Sequence, residues 1–305
     1  MTDPAPNSSK DLSEALVEQA TLLGRRLGAT GVLAFFDQVV GLTGVAEVAK
    51  DPGLILAIHS EKQRPLAEAI TRRVFLLPKA DLTRQAQIYL GVMAAASQGH
   101  CHAEDIIVCL AGPPNDGPVD TLHLLRLTGN GAVFCPTCHE GLDASVPAQV
   151  FNTLLTLVVE LAQEGREGKP IGTIFVLGDH EAVLQLSRQA VLNPFAGYPE
   201  DSLSILNQEM KETIREFAAL DGAFILKGNG ALLAAGRYLA APVRDLDLPQ
   251  GMGARHAAAA GITALTNAVA LTISESSGAV TVFRQGRIIT TLEKALPGLL
   301  PGSAA

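Results

Sequence analysis

The chain has 305 residues, 48% of them hydrophobic and 18% charged, which is enough to bury a sizeable core and long enough for two ordinary domains. Its formal net charge is −8, so a nucleic-acid backbone is repelled unless a local basic patch overrides the mean field. The densest cationic stretches, Lys62–Arg64 and Arg72–Arg73, are short and flanked by Glu61 and Glu68, so they read as solvated helix faces and no nucleic-acid partner is expected.

Residues 1–10 carry Asp3, Pro4 and Pro6 and no apolar core behind positive charge; they read as a disordered lead-in, not a secretory signal. An amphipathic helix follows to Leu27, with Leu12, Leu16, Ala20, Leu23 and Leu27 three or four apart. Strands are predicted at Gly31–Val40, Leu54–His59, Val74–Pro78, Asp105–Leu110 and Leu122–Leu127. They alternate with helices at Pro65–Arg72 and Leu82–Ala96, a pattern that predicts parallel α/β layering. Turn residues at 140–146 mark a domain boundary before a helix at Pro147–Glu164, closed by Gly165.

Beyond it lie a buried strand at 172–179, helices at His180–Gln189 and Ile205–Leu220, and strand Gly222–Leu226. The Lys227–Gly230 turn leads to a return strand at Ala231–Ala235. A helix at Ala257–Asn267 and strands at Val269–Ser274, Ala279–Phe283 and Arg287–Leu292 complete the pattern, and residues 297–305 read as a tail. No stretch has the roughly 20 apolar residues of a membrane helix, so no membrane partner and a cytoplasmic location are expected. The four cysteines, Cys101, Cys109, Cys135 and Cys138, all lie in the first half with no disulfide framework along the chain, and they read as reduced thiols.

Three segments have the residue types of chemistry. Asp221-Gly222-Ala223 sets a carboxylate at a helix-to-strand junction before a glycine that permits close backbone approach; such a group binds Mg²⁺ or Mn²⁺ or takes a hydroxyl proton, and a helix-terminating Asp is the plain alternative. Gly251-Met252-Gly253-Ala254-Arg255-His256 opens a small-residue helix with a cation, which suits a phosphate chain, as it also suits a simple turn. Ser274-Glu275-Ser276-Ser277-Gly278 offers hydroxyls and a carboxylate at a strand end, where a parallel sheet opens its crevice; a polar β-turn accounts for it equally. Cys135-Pro136-Thr137-Cys138-His139 has the spacing of a c-type haem attachment site and of half a zinc site; haem attachment requires export and zinc needs further ligands, so it reads as a surface loop.

Taken in order, these segments with 164–173, Leu177-Gly178-Asp179 and Asn193-Pro194-Phe195 resemble the diadenylate cyclases, over roughly residues 147–292. The full layout resembles the mainly archaeal branch of that family, whose N-terminal domain is similar to the C-terminal domain of pyruvate kinase; Asp81–Gln85, Asp105–Gly112 and Asp120–Leu122 carry that likeness. The resemblance implies a pyruvate-kinase-C-terminal-like, parallel α/β domain at 11–145 with a regulatory role. It implies a cyclase domain at 146–296 with a mixed central sheet flanked by helices.

It further implies condensation of two ATP molecules into cyclic di-AMP, a divalent metal, and a site shared by two facing, self-associated domains. Asp221, Arg255 and His256 are then the catalytic residues, and Asp221 and Glu275 the Mn²⁺ or Mg²⁺ ligands. Gly222, Ala223, Leu177, Gly178, Asp179, Gly253, Ser274, Glu275, Ser276 and Ser277 are the nucleotide contacts. Where better-known members read Gly-Thr-Arg-His-Arg, this chain has Gly253-Ala254-Arg255-His256-Ala257, without the hydroxyl and the second arginine. Lys227, Arg237 and Arg284 are open as replacements, and a non-catalytic sensor of ATP or cyclic di-AMP is the alternative function.

Overall fold

The computed structural model describes residues 9–51, 53–113, 117–127, 146–166, 168–240, 249 and 252–295. The Cys135–His139 motif, the tail, Gly251 and most of the lead-in lie outside these residues. Two compact units are present, one formed by residues 1–138 with 294–305 and the other by residues 139–293.

In the first unit the elements run α1 (Ser9–Leu27), β1 (Gly31–Phe35), α2 (Phe36–Val39), α3 (Val45–Lys50), β2 (Leu54–Ile58), α4 (Arg64–Glu68), β3 (Val74–Leu76), α5 (Arg84–Ser97), β4 (Ile106–Ala111) and β5 (Thr121–Arg126). The sheet has the order β3-β2-β1-β4-β5, parallel except for the antiparallel edge strand β5. Strands β1 and β2 are buried at every position, which is why they read as unbroken apolar runs rather than alternating ones. The predicted strand through Val40 ends at Phe35, because Phe36 and Val39 reach the core at a spacing of three, which a helical turn provides and a strand does not.

In the second unit the elements are α6 (Ala148–Glu164), β6 (Thr173–Leu177), α7 (His180–Gln185), β7 (Ser187–Gln189), α8 (Gln208–Phe217), β8 (Ala223–Leu226), β9 (Leu232–Leu239), α9 (Ala254–Leu265), β10 (Val269–Ile273), β11 (Val280–Arg284) and β12 (Arg287–Leu292). The seven-stranded sheet has the order β12-β11-β10-β6-β8-β9-β7; β6 and β8 are parallel and every other neighbour is antiparallel. This is the mixed sheet flanked by helices that the sequence implies.

One sheet face packs Ile174, Val176, Ala223, Ile225, Ala270 and Phe283 against Ala259, Ala260 and Ile262 of α9, whose small side chains let the helix lie close. The alternate residues Phe175 and Phe224 point the other way and stack with centroids 4.8 Å apart. The predicted helix to Gln189 stops early. Arg237 of β9 donates from Nη2 to the carbonyls of Leu184 and Ser187 and from Nε to Ser187 Oγ, and this ties residues 187–189 to β9 as an edge strand.

Candidate functional site

The register of the sheet decides which motifs meet. In the parallel pair β6 and β8, Ile174 lies beside Ala223, so Gly172 and Asp221 sit at the same end, two residues before the paired positions. Strand β10 runs the other way, with Ile273 opposite Thr173, so its exit to Ser274–Gly278 arrives at that end as well. The crevice expected at the carboxyl end of a parallel sheet is therefore corrected: the segments gather at the amino ends of β6 and β8, because β10 is antiparallel to both.

Arg255, in the first turn of α9, closes this end. Its Nη1 donates to Glu275 Oε2 at 2.9 Å. The guanidinium lies over Gly172, where a Cβ would stand 2.5 Å from Nη1 and 2.9 Å from Glu275 Cβ. Gly253 precedes the helix and makes no side-chain cap, and His256 and Ala257 return their N–H groups to its carbonyl. His256 is half-buried with its ring 5.9 Å from that of Phe283, and burial holds its pKa below the ordinary histidine value. In the free protein it is a neutral hydrogen-bonding group rather than a fixed cation.

Asp221 is exposed, and its Oδ1 accepts from the N–H of Gly222 at 3.1 Å. Gly222 has φ +108°, and a Cβ there would meet the backbone of Gly236 and Arg237 at 2.7 and 2.8 Å. Ala223 is wholly buried beside them. Ser274 Oγ lies 3.2 Å from Ser276 Oγ and accepts from the N–H of Ser277 at 3.4 Å, so the serines form a self-braced turn with exposed hydroxyls at 276 and 277.

Leu177, Gly178 and Asp179 are not brought to this end. Four strand steps of about 3.3 Å separate Thr173 from Leu177, and Leu177 is buried in the core opposite Val269. Asp179, with φ +40°, accepts from the N–H of Asn267 at 2.8 Å and fixes the loop between α9 and β10. Asn193 is likewise a brace: its side chain takes the N–H groups of Phe195 and Ala235 and donates to the carbonyl of Leu233.

Of the three cations open as replacements, Lys227 pairs with Glu200 beyond the far end of β8, and Arg284 is buried opposite Val269, also at the far end. Arg237 is at the near end, with its Nε and Nη2 committed to Ser187 and Leu184. The contribution of Gly172 and Gly236 was not legible, since a glycine announces freedom of approach but not which side chain uses it.

Among the described residues no three His, Cys, Asp or Glu side chains are grouped to hold a metal. At this end Asp221 is an exposed carboxylate of the kind that, with substrate phosphates, would hold Mg²⁺ or Mn²⁺. One oxygen of Glu275 is engaged by Arg255. Cys101 and Cys109 are buried thiols, the first pushed up to about 12 and the second also raised, in both cases chiefly by burial.

Residues 160–288 match the family model described as DisA bacterial checkpoint controller nucleotide-binding. A diadenylate cyclase of Methanocaldococcus jannaschii is 38% identical over 185 residues, covering 60% of this chain and 58% of the relative. A diadenylate cyclase of Haloferax volcanii is 32% identical over 209 residues, covering 68% of this chain and 75% of the relative. This chain belongs to the diadenylate cyclase family.

Two solved structures are more distant. A hypothetical membrane spanning protein from Bacillus cereus is 19% identical (TM-score 0.36, 48% of this chain, 64% of the other). DacA from Staphylococcus aureus, as a double mutant, is 23% identical (TM-score 0.33, 46% and 84%).

Proposed function

We propose that the chain condenses two ATP molecules into cyclic di-AMP and two pyrophosphates at the sheet end formed by Asp221, Gly172, Arg255 and Ser274–Gly278. The observation that carries this is the convergence of an exposed carboxylate at Asp221, in no ion pair among the described residues, with a phosphate-type fork at Arg255 on one end of the sheet, in a chain whose relatives are named diadenylate cyclases. In each of two equivalent steps the 3′-oxygen of one ATP attacks the α-phosphorus of the other. A P–O bond forms, the bond to the β-phosphate oxygen breaks, and pyrophosphate leaves with the electron pair.

Asp221 accepts the 3′-hydroxyl proton and is the residue that would hold a divalent cation. Mn²⁺ or Mg²⁺, when bound, neutralises phosphate charge. Arg255 and the backbone N–H groups of Ala254 and Arg255 at the start of α9 bind phosphate oxygens, His256 donates a neutral hydrogen bond, and the serine hydroxyls of 274–277 orient the nucleotide. Gly222 lets the backbone carrying Asp221 lie against that of Gly236 and Arg237, which fixes where the carboxylate stands beside Ala223. This work is positioning and charge stabilisation, which is what phosphoryl chemistry asks of a protein.

One chain has one such end, so two copies facing one another complete the site, with no call on nucleic acid or membrane. Among the described residues no helix is long and apolar enough to cross a membrane. The likeness of residues 11–145 to the pyruvate kinase C-terminal domain belongs to the same reading, as a regulatory unit in a cytoplasmic enzyme.

Incubation of the pure chain with ATP and Mn²⁺ is expected to yield cyclic di-AMP and two pyrophosphates per product. Absence of product across divalent metals and pH overturns the proposal. The second reading, a sensor without turnover, is favoured by Ala254 and Ala257 and by the distance or engagement of Lys227, Arg284 and Arg237. Its signature is ATP or cyclic di-AMP binding with no product.

A further inference from the structure

The second unit has a groove that the chemistry above does not use. It runs between the loop of residues 194–203 and the facing side of α8, with a volume of about 430 Å³, a size that suits a small molecule. Its floor is apolar: Phe195, Leu203 and Met210 are buried, and the ring of Phe217 meets that of Phe195 edge to face with centroids 5.6 Å apart. Tyr198, 64% exposed, lines it from the loop and is within reach of anything that enters.

The loop holds this shape through its own bonds. Asn193 accepts from the N–H groups of Phe195 and Ala235, both at 3.2 Å, and donates to the carbonyl of Leu233 at 2.9 Å, which ties the start of the loop to β9. Ser202 donates its N–H and its hydroxyl to the carbonyl of Pro199, at 3.0 and 2.7 Å, and the N–H of Ile205 reaches the carbonyl of Gly230 at 3.0 Å. A wall fixed in advance spares a ligand the cost of ordering it.

The charge on the groove has one sign. Glu209 lines it, is exposed, and is in no ion pair among the described residues. The other two acids of α8 are engaged, Glu212 by Arg215 and Glu216 by Arg166. No lysine, arginine or histidine is among the described residues that line the groove. The full negative charge of Glu209 outweighs the roughly half positive charge of a helix start. Asn207 stands at that start, where asparagine ordinarily spends its side chain on the first turn. It makes no such bond, and its amide also lines the groove.

Aromatic rings attract cations, and an exposed carboxylate at the edge of an apolar slot adds the opposite charge. We infer that this groove binds a small organic monocation of the primary arylalkylamine class. The ammonium group sits on Glu209 and Asn207, and the apolar body lies between Tyr198 and Phe217 over the Phe195 and Met210 floor. An anion of the same shape is repelled by Glu209, and a neutral analogue forgoes the charge-assisted bond. Such binding is independent of turnover at Asp221.

The test is calorimetry and thermal denaturation of the full chain with phenethylamine, tyramine and tryptamine, beside phenethyl alcohol and hydrocinnamate as the neutral and anionic counterparts. The expected result is saturable binding of at least one amine with a raised Tm, and at least about tenfold weaker binding of the alcohol and the acid. Glu209→Gln and Tyr198→Ala, both at exposed positions, are each expected to weaken amine binding about tenfold while leaving the ligand-free Tm within a few degrees. Glu212→Gln, on the same helix, is expected to leave affinity unchanged. No saturable binding of any of the three amines at millimolar concentration, equal binding of the alcohol or the acid, unchanged affinity in Glu209→Gln or in Tyr198→Ala, or an equal loss in Glu212→Gln overturns the inference.

Discussion

The guanidinium of Arg255 occupies the space that a side chain on Gly172 would fill, with a Cβ there falling 2.5 Å from Nη1. The nearest obstructing atom is the far end of a flexible side chain, whereas Glu275 Cβ, at 2.9 Å, moves only with its turn, so Gly172→Ala is expected to push Arg255 aside and to lower Tm by a few degrees as the turn gives way. A displacement of about 1 Å at a reacting centre can cost about a hundredfold. Cyclic di-AMP formation should fall at least tenfold, read by chromatography of the nucleotides beside a melting curve.

Gly222→Ala is expected to act chiefly on the fold. Its Cβ would meet the backbone of Gly236 at 2.7 Å, which cannot step aside, at a φ of +108° that side chains rarely adopt. A loss of about 2 kcal/mol or more is expected from strain of this kind, measured by denaturant unfolding.

The architecture was legible where one physical signal dominated. Runs such as Leu54–Ile58 and Val269–Ile273 are buried at every position, so their composition alone marks them as strands. Strand β7 was not legible: Ser187-Arg188-Gln189 has no strand pattern, and its pairing comes from Arg237, fifty residues away from Ser187. The site was legible as a set of segments but not as a place. Nothing local tells that β10 is antiparallel to β6, and that reversal brings Ser274–Gly278 to Gly172 and leaves Leu177–Asp179 at the other end.

Asp221→Asn is expected to separate chemistry from folding. The carboxylate is exposed and bonds to the adjacent Gly222 N–H, so stability should change by less than about 0.5 kcal/mol. Activity should fall by about 10²–10⁴, the range for a positioned proton acceptor. Retention of full activity removes Asp221 from the mechanism.

Chelation with EDTA is expected to stop product formation and leave the melting temperature unchanged. On the proposed reading the metal would come with the substrate phosphates at Asp221 and would not hold the fold together. Activity should return on adding Mn²⁺. A melting temperature lowered by chelation would refute this division of roles.

The pH dependence of stability has a definite sign. Burial lowers the pKa of His256 below 6.5, and burial with the charge of Arg73 lowers that of His100. Below the ordinary histidine value the unfolded chain takes up protons that these rings refuse in the folded state, so stability is lost as pH falls from about 6.5 towards the depressed folded values. His256→Gln should flatten part of that decline, with His100 accounting for a remainder, as measured by urea midpoints across the range.

The hydrogen bond from Asn267 to Asp179 places a hold on the end of α9 opposite Arg255. A helix of 12 residues, about 18 Å long, is thus pinned at one end to Asp179, just past β6, and at the other to Glu275, just past β10. It behaves as a strut of set length. If the Asp179 anchor slackens, the helix slides along its axis and carries the arginine off its seat, so a residue 88 positions from Asn267 in sequence governs reach at a reacting centre it never touches.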